Sequence, residues 1–541
     1  MKKTLLWLVL AALVAAAFPP AATAEESQLA AVGFNVHGYY RVRYDNYFDL
    51  SWAATQKGDD SDWWSWVDQR MLLQPTLIIS DPIEINSELD ILHNVMWGDN
   101  ALIEEPAVVT ERQPNDPASI GRVRYGTMTF RSGNLLTHST SDTDRDLNEV
   151  DPIAVRQLYM RVTLPIGYLK IGRQADQWGM GVYANSGSPF LRFLETPGDV
   201  NDRNHGYDAD SGDVYDRFQF GTRVAGFYFP SIMYDRIAED SFKTGDNDVH
   251  AFTLANQFRD IRFADSGVFD AGFFIQGRTQ QATSASLWLY DLWLRLGYAG
   301  FKWELEGLGV QGKATFVDRQ TVRNLEDEGL PTGERGGEVS IGAYLGAARF
   351  LYDSGRWSAG LEWGFSSPEA ANPDNEFDAT AADNLIAARQ ELKNDPQNAN
   401  ARIDFTNAVI DNQAAFGRRI NTYAFDPDYK IDLITWDRLM GGALKNGMYL
   451  KAGGYLRPLD GMHIGLNVLN SYLNESGKKL NGKDASHDLG WETDLNFAYT
   501  FHKQFTADTS MGYMIPGMYF RDMYDDVSNV YTFQIRTIVN F

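Results

Sequence analysis

The chain has 541 residues, no cysteine, 13% aromatics, 48 glycines and a formal charge of −24. Lack of cysteine removes disulfides and thiolate metal sites, and the acidic balance argues against nucleic-acid binding, which needs a basic surface. A mean hydropathy of −0.34 in so aromatic and glycine-rich a chain suits neither a helical membrane protein nor an ordinary soluble enzyme. It suits membrane strands, in which lipid-facing and lumen-facing residues alternate.

The first expected element is a leader. Lys2 and Lys3 precede an apolar run from Leu5 to Phe18, and Ala22-Thr23-Ala24 supplies the small residues of a cleavage site. The run is shorter than the roughly 20 residues a membrane helix needs. Residues 1–24 are therefore expected to be a secretory signal peptide, with 25–541 forming one outer-membrane barrel. Removing Lys2 and Lys3 takes the charge from −24 to −26, and no cysteine follows the cleavage point to carry a lipid.

Period-two alternation predicts strands near 33–46, 68–80, 84–97, 153–164, 167–175, 216–227, 229–237, 248–259 and 268–279. A second set follows near 286–298, 301–316, 338–350, 357–366, 447–457, 462–470, 489–501, 505–515 and 528–541. In the last, Tyr531, Phe533, Ile535, Val539 and Phe541 share one face, and Thr532, Gln534, Arg536 and Asn540 the other. The tally of about 18 is even, as a single-chain bacterial barrel requires, and both chain ends then lie on the periplasmic side. The fold class read from this is all-β, a transmembrane antiparallel up-and-down β-barrel. A terminal strand ending in Phe resembles the signal recognised by the barrel-assembly machinery, the expected partner in biogenesis; lipid and lipopolysaccharide are the expected surroundings.

Short links such as Asp81-Pro82, Ala299-Gly300 and Asp353-Ser354-Gly355 alternate with long acidic loops near 98–152, 176–215, 317–337, 367–446, 471–488 and 516–527, which are expected to face outward. Within 367–446, Ala381, Leu385, Ala388 and Leu392 recur at helical spacing, Pro396 interrupts, and Ile403, Val409, Ile410 and Phe416 resume. A helical hairpin is expected there, serving either as a cap or constriction of the pore or as an external insert.

Motifs for chemistry are weak. Gly179 to Ala184 matches G-x-G-x-x-A without the βαβ unit that a dinucleotide site needs. Asp142, Asp144 and Asp146 begin like a calcium loop but place Leu147 and Ile153 where glycine and a bidentate glutamate belong, and the run Asp208, Asp210, Asp213 around Gly212 departs as well. No H-E-x-x-H or G-x-S-x-G occurs. No enzyme activity, metal or cofactor is expected.

The lumen carries the functional reading. Opposite the apolar faces stand Arg41, Arg43, Arg70, Arg161, Lys170, Arg223, Arg278, Arg295 and Arg536, interleaved with Glu88, Asp90, Asp291, Glu304, Glu306, Glu362, Glu492 and Asp494. An Arg or Lys turned to lipid costs roughly 2–4 kcal/mol near the midplane, so inward orientation is expected, lining either a solvated channel or a salt-bridged interior in which many pair with each other. Arg41, Arg43, Arg70 and Arg161 fall on the first four strands and are expected to form one basic patch.

Arg41-Val42-Arg43-Tyr44, Gln69-Arg70-Met71-Leu72 and Gly172-Arg173-Gln174 with Gly179 resemble the alginate-export family of outer-membrane porins, over residues 33–97 and 153–182. The resemblance implies an 18-stranded barrel that passes an anionic polysaccharide along an Arg-lined lumen, and adds Arg173 to the candidate lining residues. The interleaved carboxylates depart from that family's strongly basic lumen. The function expected is a passive outer-membrane channel for anionic carbohydrate, such as an alginate-like polymer, or for small anions, with cationic side chains replacing part of the solute's hydration. A general or phosphate-type porin and a structural or adhesive barrel with a plugged lumen are the alternatives.

Overall fold

The computed structural model describes residues 32–50, 63–96, 153–187, 212–238, 248–281, 284–316, 337–368, 419–476, 484–501, 504–524 and 527–541. The leader, the proposed hairpin helices and the Asp142–Asp146 run lie outside the described residues.

Strands β1 (Gly33–Phe48), β2 (Trp63–Ser80), β3 (Ile83–Met96), β4 (Ile153–Leu164), β5 (Gly167–Ala175), β6 (Val214–Gly221), β7 (Tyr228–Ala238), β8 (Val249–Phe263) and β9 (Gly267–Gln280) pair each with the next. β10 (Ala285–Tyr298), β11 (Phe301–Phe316), β12 (Gly337–Asp353) and β13 (Trp357–Ser366) continue the meander. β14 (Arg419–Ile420) is a two-residue strip lying parallel to β12 at Ser340 and Ile341. β15 (Gly447–Leu456), β16 (Met462–Leu473), β17 (Asp488–Phe501), β18 (Phe505–Pro516) and β19 (Val530–Asn540) complete it, and β19 pairs antiparallel with β1 from Tyr39↔Asn540 to Phe48↔Tyr531. The sheet is thus a closed barrel of 18 antiparallel strands plus the β14 strip. Closure leaves no barrel strand with an open edge along its length, the condition for crossing lipid with strands.

Alternation appears as predicted. On β10, Trp288, Tyr290 and Leu292 face out at 44–49% exposure while Leu287, Leu289 and Asp291 are buried inside. Short links gather at one rim with both described chain ends. At Ala299-Gly300 both residues have positive φ (50° and 86°), the mirror-image turn that matches strand twist. The expected strand 216–227 ends early, at Gly221, because Ala225 and Gly226 also adopt positive φ and Thr222–Phe227 becomes a turn. At the other rim, the expected loop 516–527 holds a short helix, α1 (Met518–Met523).

Two connections turn into the barrel: residues 176–187 after β5, expected to face outward, and 421–446 between β14 and β15, part of the loop for which a constriction of the pore was one of two expectations. Their apolar residues, among them Trp178, Val182, Tyr423, Phe425 and Trp436, join inward residues of the wall in one buried cluster.

Candidate functional site

Side chains on the same face of neighbouring strands lie about 5 Å apart, so the interleaved charges meet as pairs. Arg41 and Arg70 stand directly opposite each other, and each turns to its own acid. Arg41 Nη2 reaches Asp68 at 3.3 Å, and Arg70 grips Asp90 with Nε and Nη2, both at 2.7 Å. Arg43 Nε lies 2.9 Å from Asp68 and 3.0 Å from Asp45. Further round, Arg217 holds Asp235 and Asp176, Arg295 holds Asp270, Arg349 holds Glu304, Lys451 holds Glu362 and Arg536 holds Asp508. Arg41 and Arg70 are 0% and 1% exposed. Buried pairs of this kind satisfy one another and present little net charge to a solute.

The expected basic patch of Arg41, Arg43, Arg70 and Arg161 is therefore not formed: the first three are buried and neutralised. Two other candidates are also relocated. Arg173 follows Ile171 on the outer face of β5 and forms an exposed two-pronged pair with Asp216 at 3.0 Å. The next position faces in, since Gln174 is 3% exposed. Arg223 sits in the β6–β7 turn, with Nε donating to Gly226 O at 2.9 Å.

Other expected lining acids act as fasteners for the inward segments. Trp178 Nε1 donates to Asp291 at 2.6 Å, and the Met180 amide donates to Glu306, towards which the Val182 and Tyr183 amides also point. A Cβ at Gly179 would lie 2.5 Å from the Glu306 carboxylate. The glycines of the G-x-G-x-x-A match thus serve a tight turn with φ of 50° and 82° against the wall. Tyr183 OH bonds Gln276 at 2.9 Å and accepts from Arg278.

The second segment crosses the wall from β15 to β1. Glu492 accepts the amides of Leu433 (3.0 Å), Ile434 (2.8 Å) and Thr435 (2.8 Å) and the Thr435 hydroxyl (2.6 Å). These clasp a single π-helical turn, Thr435–Leu439. Trp436 Nε1 reaches Ser471 at 3.0 Å, Lys451 Nζ reaches Ile431 O at 3.2 Å, and Arg438 Nε reaches Tyr47 OH at 2.7 Å with its guanidinium over the Tyr47 and Trp66 rings. Burial opposes ionisation of Asp437, but Lys430 at 2.7 Å and Arg438 at 3.0 Å outweigh it and hold its carboxyl below the usual range. Asp432 is pushed well up by burial and by Glu492, although the Trp436 and Asp437 amides donate to it.

One stretch of wall differs. On β4 and β5, Lys170 Nζ lies 5.2 Å from the Tyr159 ring centroid and 5.8 Å from that of Tyr168, and the Arg161 guanidinium lies 5.6 Å from Tyr168. Near the short-turn rim, Arg223 and Arg259 flank the Phe229 ring at 5.5 and 5.6 Å. Among the described residues, Lys170, Arg223 and Arg259 have no ion pair, and Arg161, 43% exposed, has only Glu84 at 3.3 Å. Sequence reasoning named Arg161 and Lys170 but missed the rings and Arg259. The signal lay in Tyr159 and Tyr168, which share the inward parity of Arg161 and Lys170. A ring beside a cation leaves the cation's charge exposed, where a carboxylate would cancel it.

No family model and no curated protein sequence matches the chain, so the short runs that resemble the alginate-export family have no wider support. Solved structures similar to it include OccK9 (OpdG) of Pseudomonas aeruginosa, 9% identical over 94% of this chain and 98% of that one, TM-score 0.46. OpdK of the same organism, in a structure with vanillate, is 7% identical over 94% and 100%, TM-score 0.46. OccAB4 of Acinetobacter baumannii is 8% identical over 96% and 100%, TM-score 0.45. At such identity and overlap these likenesses carry no argument about solute.

Proposed function

We propose that the chain is a passive channel of the bacterial outer membrane, delivered by a cleaved leader and the barrel-assembly machinery, that admits small anions, among them short anionic carbohydrates. The carrying observation is the stretch of wall bearing Arg161, Lys170 and Arg259, where cations rest on rings without full neutralisation. Elsewhere the described lumen cations are largely paired. Exposed cations on a lumen wall favour anions by replacing part of their hydration while binding weakly enough to release them. Rings interleaved with cations add apolar faces for a sugar or other ring. The two inward segments narrow the lumen, which favours a small solute over an alginate-like polymer.

A second reading, a structural barrel with a plugged lumen, is favoured by the clasp of Glu492 on residues 433–435 and of Glu306 on Met180. Swelling of proteoliposomes separates the two. A channel admits sodium glucuronate faster than glucose of similar size, whereas a plugged barrel excludes both alike.

A further inference from the structure

The outer face of the barrel is apolar where it crosses the membrane. On β10 it runs from Trp288 through Tyr290, Leu292, Leu294 and Leu296 to Tyr298. At a rise of about 3.3 Å per residue and a tilt near 40°, that stretch spans about 25 Å, the height of the band that meets lipid.

Arg173 and Asp216 stand inside this band. Gly167 ends β5 at the short-turn rim, and Arg173, six positions further along the strand, lies about 15 Å above it by the same rise and tilt. Its neighbours on the outer face are apolar: Leu158 opposite it on β4, Ile171 on its own strand, and Phe218 opposite Ile171 on β6. Val155 and Ile153 carry the apolar face of β4 on towards the far rim.

Two parallel hydrogen bonds join the pair, Nε to Oδ1 and Nη2 to Oδ2, both at 3.0 Å. A guanidinium has five N–H groups, so two are used and three are left. Among the described residues neither side chain has another partner. Arg236, which the register sets opposite Asp216, is held by Asp248 at 2.6 Å. Hydrocarbon supplies no hydrogen bonds, and charge turned towards it is costly. The pair therefore calls for a polar surface pressed against it from outside the barrel.

We propose that a second copy of this chain supplies that surface, through a twofold contact along β5 and β6. Two barrels inserted the same way are related by an axis along the membrane normal, and rotation by half a turn about it reverses every direction in the membrane plane. The step from Arg173 to Asp216 runs around the barrel from one strand to the next, so in the other copy it runs the opposite way. Each guanidinium then meets the partner's Asp216, and the four groups close a ring of alternating charge in which the remaining N–H groups find carboxylate oxygens. Leu158, Ile171 and Phe218 pack around it. A threefold contact would set this face against a different one and leave the pair unmatched.

The contact does not depend on conduction. Barrel stability in detergent does not report on it either, because water reaches the pair there and its contribution is small. The cysteine-free chain accepts a single dye at S266C, in the exposed β8–β9 turn. The mature protein, labelled with donor or acceptor, is reconstituted in phosphatidylcholine vesicles that hold no other protein and no lipopolysaccharide. Energy transfer between copies should appear. Arg173→Leu combined with Asp216→Leu should keep the heat-modifiable folded band and lose the transfer. Arg173→Asp copies and Asp216→Arg copies should each lose it alone and regain it when mixed, since their charges then complement one another; if either fails to assemble, the leucine variant decides. No transfer in the wild type, transfer unchanged in the leucine variant, or a mixture of folded charge-reversed copies that shows none overturns the twofold contact.

Discussion

Thr435 hangs from Glu492: its amide and its hydroxyl both donate to Oε2, at 2.8 and 2.6 Å. One wall carboxylate thereby holds the turn that seats Trp436 against the wall at Ser471. Glu492→Ala would leave those buried donors unsatisfied, at about 1–3 kcal/mol each. The barrel should still form, since its strands pair independently of this contact, while residues 421–446 loosen. Trypsin should then cut after Arg438 in the variant and spare it in the wild type, and Glu492→Gln should lie between.

Arg70 and Asp90 form the most fully buried two-pronged pair on the first three strands. Asp90→Ala strands a buried guanidinium and should cost about 3–5 kcal/mol, whereas replacing both by apolar residues of similar volume should cost far less. Denaturant unfolding in detergent measures both, and equal losses would contradict this account of the wall.

The seam of the barrel closes on the last residue. Gly38 N donates to Phe541 O at 3.0 Å, Phe541 N donates to Gly38 O at 3.1 Å, and a Cβ on Gly38 would meet the Phe541 ring at 3.1 Å and Leu72 O at 2.3 Å. Deleting Phe541 should sharply reduce the heat-modifiable folded band on gels, and Gly38→Val should do the same. Normal assembly of both would show that the seam does not depend on this contact.

Arg173 and Asp216 lie on the outer face, 47% and 54% exposed. An exposed pair contributes about 0–1 kcal/mol. Arg173→Gln should leave ion selectivity unchanged and stability within that range. A changed reversal potential would return Arg173 to the lumen.

The barrel itself was legible in the sequence, because period-two alternation such as that of Trp288, Tyr290 and Leu292 against Leu287 and Asp291 reports directly which face meets lipid. Strand ends were less so: nothing in the pattern of 216–227 marks Ala225 as a positive-φ residue. The acidity of its loop points 176–187 outward, whereas for 421–446 a constriction of the pore was one of the two expectations. Trp178 to Ala184 and Ile431 to Trp436 are apolar runs inside acidic loops, and such runs seek a buried surface. A salt-bridged interior was one of the two expectations, but not which charges pair. Period two gives the face of Arg41 or Arg70, but only the register between strands shows that Asp68 and Asp90 lie within reach to cancel them.

The reversal potential of single channels in a salt gradient across a planar bilayer tests the central claim most directly. The sign should show anion preference in spite of the charge of −26 left when Lys2 and Lys3 are removed from the chain's −24, because local wall charge, not screened loop charge, sets the field in the lumen. Lys170→Gln combined with Arg259→Gln should diminish that preference without loss of folded protein. Cation preference in the wild type, or a preference untouched by the double substitution, would contradict the account.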